Sequence, residues 1–206
     1  MGHGAYALTR VAVVVRAPAG WLWWPGLLAA GIGVPGPAGR TAGLVAGAAL
    51  CVGAAPVVCL ARRGRYTALA RDASRAGKAV ILQDRAVTLR VWRRAHRWWL
   101  LCAFLAAVGS SCVLPAAGGL LMAGAALGLW GKALWLGRWE REHEALLWVR
   151  TDCVGKGGAA GKEVREYALT GTAAGDARPG GARRGGAWAG GPRSGGVRAG
   201  GARAGH

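Results

Sequence analysis

Hydrophobic and polar positions separate along this chain into long uncharged runs and arginine-rich intervals. The longest uncharged run, 98–131 (WWLLCAFLAAVGSSCVLPAAGGLLMAGAALGLWG), is too long for one membrane helix of roughly 20 residues and just long enough for two short ones. Pro115 lacks an N–H, and Gly118 and Gly119 are flexible, so the centre of the run predicts a turn. The expectation is a helical hairpin with spans over 98–114 and 116–136. Two earlier runs, 18–34 between Arg16 and Arg40 and 41–61 between Arg40 and Arg62, predict two more spans, parted by the helix-breaking 35–39 (PGPAG). The five apolar residues between Arg10 and Arg16 are too few for a signal-peptide core.

Between the two predicted hairpins, at 62–97, apolar residues recur as Tyr66, Leu69, Ala73, Ala76 and Val80, then Val87, Val91 and Ala95. Spacing by threes and fours predicts amphipathic helix. Gly77 is the natural hinge between two basic cytoplasmic arms, one continuing the second span to Ala76 and one leading from Lys78 into the third. The arms would pack as an antiparallel pair or lie along the membrane surface. Past the fourth span, 137–150 (GRWEREHEALLWVR) reads as an amphipathic exit helix, with Arg138 and Glu142, and Arg141 and Glu144, spaced for local ion pairs. Periodicity is lost over 151–206. There Gly-Gly recurs every five residues across 180–204, with Arg in the fourth place of every unit except the one bearing Trp188. A segment with nothing apolar to bury cannot offset its ordering entropy, so a disordered tail is expected. The fold class predicted is an all-α integral membrane protein: four transmembrane helices in two hairpins, cytoplasmic amphipathic helices and a disordered C-terminal tail.

Composition sharpens the orientation. The chain of 206 residues is 53% hydrophobic yet carries a net charge of +18. Ten arginines and Lys78 against Asp72 and Asp84 give 62–97 a net of +9, and the tail after Arg150 adds +5. Cytoplasmic loops hold the arginine and lysine excess, which places 62–97 and both termini inside a multi-pass inner (cytoplasmic) membrane protein. Trp21, Trp23, Trp24, Trp98, Trp99, Trp130, Trp135 and Trp139 then all fall at the inner interface, where indoles prefer to sit. Lys132 lies near the inner end of the fourth span, within snorkelling reach of water. Arginine outnumbers lysine 23 to 4, the bias of a GC-rich bacterial coding sequence. None of the five cysteines forms a C-x-x-C pair, and four lie in predicted spans as small hydrophobes.

Candidate chemistry is sparse. Gly33 to Thr41 has five residues between its glycines and then Arg40, where a phosphate loop needs four and then lysine. Lys156 to Glu163 fails as well, since Glu163 stands where the metal-binding hydroxyl belongs. Glu140 and His143 have the E-x-x-H spacing of di-iron helices, but no acid lies in any span to complete such a site, and a solvated helix face is expected. Neither a catalytic set nor a cofactor or metal site is predicted. Gly43-x-x-x-Gly47 and Gly124-x-x-x-Gly128 would let helices approach closely, within the chain or between copies of a homo-oligomer. A polyanion-binding face is assigned to Arg90, Arg93, Arg94 and Arg97 with the tail residues Arg183, Arg184, Arg193, Arg198 and Arg203; Trp92 and Trp188 would add stacking. The function expected is a non-enzymatic membrane scaffold or accessory subunit whose basic face meets anionic lipid, nucleic acid or an acidic partner. In layout alone the chain is similar to the small membrane proteins that spread conjugative plasmids, so a pore-forming or DNA-transfer subunit acting as an oligomer is the alternative. A dry bundle packed through Gly and Ala would favour the scaffold, and a polar, water-lined cavity among the helices would favour transport.

Overall fold

Strand β1 (Ala7–Arg10) runs without a linker into helix α1 (Val11–Ile32), which carries Pro18 and Pro25 inside it. The structure, a computed structural model, describes residues 7–32, 39–77, 80–154, 158–172, 174 and 178–181. Helix α2 (Arg40–Leu60) ends where Arg62 takes a left-handed conformation, φ 59°, and α3 (Arg63–Arg71) starts in a new direction. Next come two short strands, β2 (Ser74–Arg75) and β3 (Ile81–Leu82), then α4 (Arg85–Ser110), α5 (Ala117–Glu142), β4 (Ala145–Arg150), the single turn α6 (Thr151–Val154) and β5 (Ala168–Gly171).

Helix α5 is the axis of the bundle, flanked by α1, α2 and α4. Small residues make this possible, because glycine lets two backbones come within contact distance. A methyl group at Gly124 would lie 2.5 Å from the Cys51 carbonyl oxygen, and one at Gly128 2.5 Å from that of Ala55. Gly43 and Gly47 pack on Pro115 and Ala117 at the other end of the same α2–α5 contact. Both G-x-x-x-G pairs thus meet inside the chain. Gly118 and Gly119, expected in a turn, lie within α5 and take Ala107 of α4 and Ala30 of α1 against them. The turn uses Pro115 and a left-handed Ala116, φ 65°, instead.

Away from α5 the helices present bare apolar side chains: Leu28, Val45, Val52, Val57, Trp98 and Leu105 are all more than half exposed. Three helical stretches, Val11–Ile32, Arg40–Arg71 and Ala117–Glu142, are long and apolar enough to cross a membrane. The fourth expected span belongs to α4, where only 98–110 is free of charge, because the helix begins thirteen residues earlier in the arginine-rich segment.

At the opposite end from the α4–α5 turn sits a curled five-stranded sheet, in the order β2-β5-β4-β1-β3. The all-α expectation is therefore corrected. β1 pairs antiparallel with β4 (Thr9 opposite Val149) and parallel with β3, and β4 pairs antiparallel with β5 (Leu147 opposite Leu169). The exit helix expected over 137–150 stops at Glu142, and Glu144, φ 47°, turns the chain into β4. Alternation decides it: Leu147 and Val149 face one core with Val11, Val14, Tyr66, Leu69, Val164 and Tyr167, while Leu146 and Trp148 face another with Leu8. Residues of the expected disordered tail are built into this core. Val164 and Tyr167 are buried, and the Tyr167 hydroxyl donates to the Ala159 carbonyl at 2.7 Å. Burial holds that phenol above its usual pKa.

The two expected arms also part company. The first ends at Arg71 and buries Tyr66, Leu69 and Ala70 under the sheet, whereas Val87 and Val91 on α4 stay exposed. Lys132, expected to snorkel, is buried with its Nζ 5.8 Å from the centre of the Tyr66 ring.

Candidate functional site

Four elements reach the junction between bundle and sheet, and each shows the same order along its length. First comes the sheet end, then an arginine stacked on an aromatic ring or a tryptophan receiving one, then the exposed apolar girdle. On α4, Arg93 lies 5.2 Å from the ring centre of Trp21 on α1, and Arg97 lies 5.5 Å from that of Trp98. Arg63, which opens α3, lies 5.0 Å from the ring of Trp135 on α5 and donates from Nε to the Cys59 carbonyl at 3.2 Å. Trp23 and Trp130 stack across α1 and α5 with centroids 6.0 Å apart. A guanidinium over an indole face gains cation–π attraction while keeping its donors outward.

Of the arginines named from sequence, Arg90, Arg93, Arg94 and Arg97 are all exposed on α4. Offsets of three, four and seven put them on one helix face, and exposed Trp98, four residues past Arg94, borders this face. The structure thus gathers these four into a stripe. Arg183, Arg184, Arg193, Arg198, Arg203 and Trp188 lie outside the described residues. Trp92 faces the other side of α4, stacked on His96 at 4.6 Å.

Sequence reasoning missed the best-connected polar group. Glu140, expected on a solvated face, is 0% exposed. Its Oε2 receives hydrogen bonds from Arg10 Nη2 at 3.2 Å and from the Gly180 N–H at 2.8 Å, and its Oε1 receives one from the Leu147 N–H at 3.3 Å. One carboxylate therefore ties together β1, β4, α5 and the segment 178–181, which the sequence placed in the disordered tail. A signal for it was available. Glu140 shares a helix face with Ala133, Leu136 and Gly137, all buried, so an acid there needs a buried partner. His143 does not join it: the ring is exposed, stacked on Trp139 at 4.1 Å, with Nδ1 2.9 Å from the Trp139 carbonyl. Among the described residues no three His, Cys, Asp or Glu side chains converge as a metal site.

Gly180 and Gly181 cross the junction in left-handed conformations, φ 83° and 72°, that favour glycine. Gly180 lies against Gly137 and Gly181 against Ala12, while Arg85 Nε donates to the Gly181 carbonyl at 3.1 Å. Comparison with protein-family models, with curated proteins and with solved structures found no match.

Proposed function

We propose that this chain is a non-enzymatic membrane protein, a scaffold or accessory subunit, whose basic face at the sheet end meets the anionic surface of the bilayer it crosses. The observation that carries the reading is the arginine stripe of α4 set beside tryptophans, between an exposed apolar girdle and a folded polar cap. Indoles and arginines at that level match the headgroup zone, where each arginine contributes about 1 kcal/mol toward anionic lipid. In this reading α4 enters the bilayer with its apolar half, completing four spans. The sheet joins segments from before α1, between α2 and α4, and after α5, which supports their lying on one side, the cytoplasmic one by the arginine excess. Packing through glycine inside the chain supports the scaffold over an oligomeric pore.

Two measurements test this. A cysteine at Gly77, which stands in open space, should be labelled by an impermeant thiol reagent only after cells are opened; labelling in intact cells overturns the orientation. Purified protein in neutral detergent should retain phosphatidylglycerol over phosphatidylcholine in native mass spectrometry, with a steep loss as salt rises. Arg90, Arg93, Arg94 and Arg97 changed together to Gln should remove most of that preference. If the stripe variant instead keeps its lipid and loses binding of labelled single-stranded DNA, the stripe serves nucleic acid and the lipid reading falls.

A further inference from the structure

Two hollows of about 210 and 250 Å³ flank Gly180 and Gly181 at the junction, one between α1 and α5 and one between α1 and α4. Arg16 and Trp130 line both. We propose that this cleft is a discrete binding site for the phosphate of an anionic phospholipid headgroup, held by Arg16. The proposal rests on the membrane reading above but names a site distinct from the stripe.

The charge arrangement calls for an anion. Arg16 is half-buried and pairs with no carboxylate among the described residues. Among the described residues no acidic side chain lines either hollow, and Arg85 forms a further wall of the second. A half-buried guanidinium binds a phosphate with two parallel donors, and the contact strengthens as water is excluded. Shape selects the class of anion. Each hollow holds the volume of several waters, at about 30 Å³ apiece, enough for a phosphodiester and its glycerol. The walls beside the arginines are Trp21, Leu89 and Leu134, and Leu134 is 65% exposed where the cleft opens toward the apolar girdle. An anion that carries an acyl chain can lay it along that opening, whereas free phosphate gains nothing there.

The test uses the full chain, stripped of lipid in neutral detergent and titrated with phosphatidylglycerol, phosphatidylcholine or inorganic phosphate under native mass spectrometry. Wild type should retain one tightly held phosphatidylglycerol, and Arg16→Gln should weaken that single event about tenfold, the effect of one charge-assisted contact. Gly20 lines the second hollow and faces open space, so Gly20→Leu should fill the site and weaken the same event without lowering the unfolding temperature. That variant decides the matter if Arg16→Gln fails to fold. Unchanged retention of the tight lipid in a folded Arg16→Gln or Gly20→Leu overturns the site. Loss of the lipid only in the stripe variant also overturns the site and leaves the general reading standing, while equal retention of both lipids by wild type removes both. Displacement of phosphatidylglycerol by an equal concentration of inorganic phosphate would assign the cleft to free phosphate and overturn the lipid assignment.

Discussion

Removing the Glu140 carboxylate should strongly destabilise the sheet cap. The group is wholly buried and receives three hydrogen bonds, from Arg10, Leu147 and Gly180. Glu140→Ala takes the Glu140 charge away from the Arg10 guanidinium, itself 2% exposed, and breaking a buried pair from one side costs about 3–5 kcal/mol. The two backbone N–H groups add about 1–3 kcal/mol each if nothing replaces their acceptor, but water entering the vacated volume offsets part of this. A net loss of about 4 kcal/mol is expected, or roughly 8–16 °C in unfolding temperature at about 2–4 °C per kcal/mol for a chain of this size. Glu140→Gln keeps the volume and one carbonyl acceptor, so about half that loss is expected, since the new amide presents N–H to a donor. Replacing both partners, Arg10→Met with Glu140→Leu, should recover a large part of the single-variant loss because neither charge of the pair is left buried without the other. The assay is thermal unfolding in detergent, paired with peptide-resolved hydrogen exchange over β4 and 178–181. A Glu140→Ala loss below about 1 kcal/mol, or exchange at Leu147 and Gly180 no faster than in wild type, would show that the carboxylate does not hold the junction.

Three further outcomes rest on the packing. Gly124→Ala should destabilise by about 1–3 kcal/mol, because the new methyl meets the Cys51 backbone, whereas Gly53→Ala, with nothing near it, should be neutral or stabilising by up to about 1 kcal/mol; equal effects in thermal unfolding would refute the close α2–α5 contact. Truncation after Lys162 removes β5, Val164, Tyr167 and the Gly180 donor, so it should unfold the sheet cap, read as lost protection of β4 in hydrogen exchange. The Tyr167 phenol is raised above its ordinary pKa of 10.0 chiefly by burial, with Tyr66 adding and Arg65 opposing. Its neutral form thus favours the folded state fully below pH about 10, and that contribution is lost as pH rises further; unfolding temperature should fall above pH about 10 in wild type and less steeply in Tyr167→Phe.

Local pattern was sufficient for the helices. Uncharged length and apolar composition are additive along a segment, so 18–34, 41–61 and 116–136 each fall largely inside α1, α2 and α5. The arginine stripe was legible for the same reason, because spacing by three and four fixes a shared face on any helix. Charge spacing misled at 137–150, where Arg–Glu offsets favour helix locally while Leu146 to Val149 alternate as a strand. A six-residue strand has no stability alone, and pairing with β1, brought from 135 residues away by the α1–α5 contact, and with β5 on its other edge makes it one.

Glu140 and Arg10 form one feature only because glycines let α1 and α5 close on each other. Their pairing depends on distance in space, to which neither neighbourhood in sequence refers. The segment 158–181 shows the same dependence. It has too few apolar residues to order itself, yet Val164, Tyr167 and Gly180 find a surface already assembled from α1, α3, α5 and β4. Sequence periodicity determined which stretches of this chain are helices and which faces are basic. Tertiary contact alone decided that a sheet closes the bundle, since strand pairing, buried charge and glycine approach each require a partner the chain supplies only once it has folded.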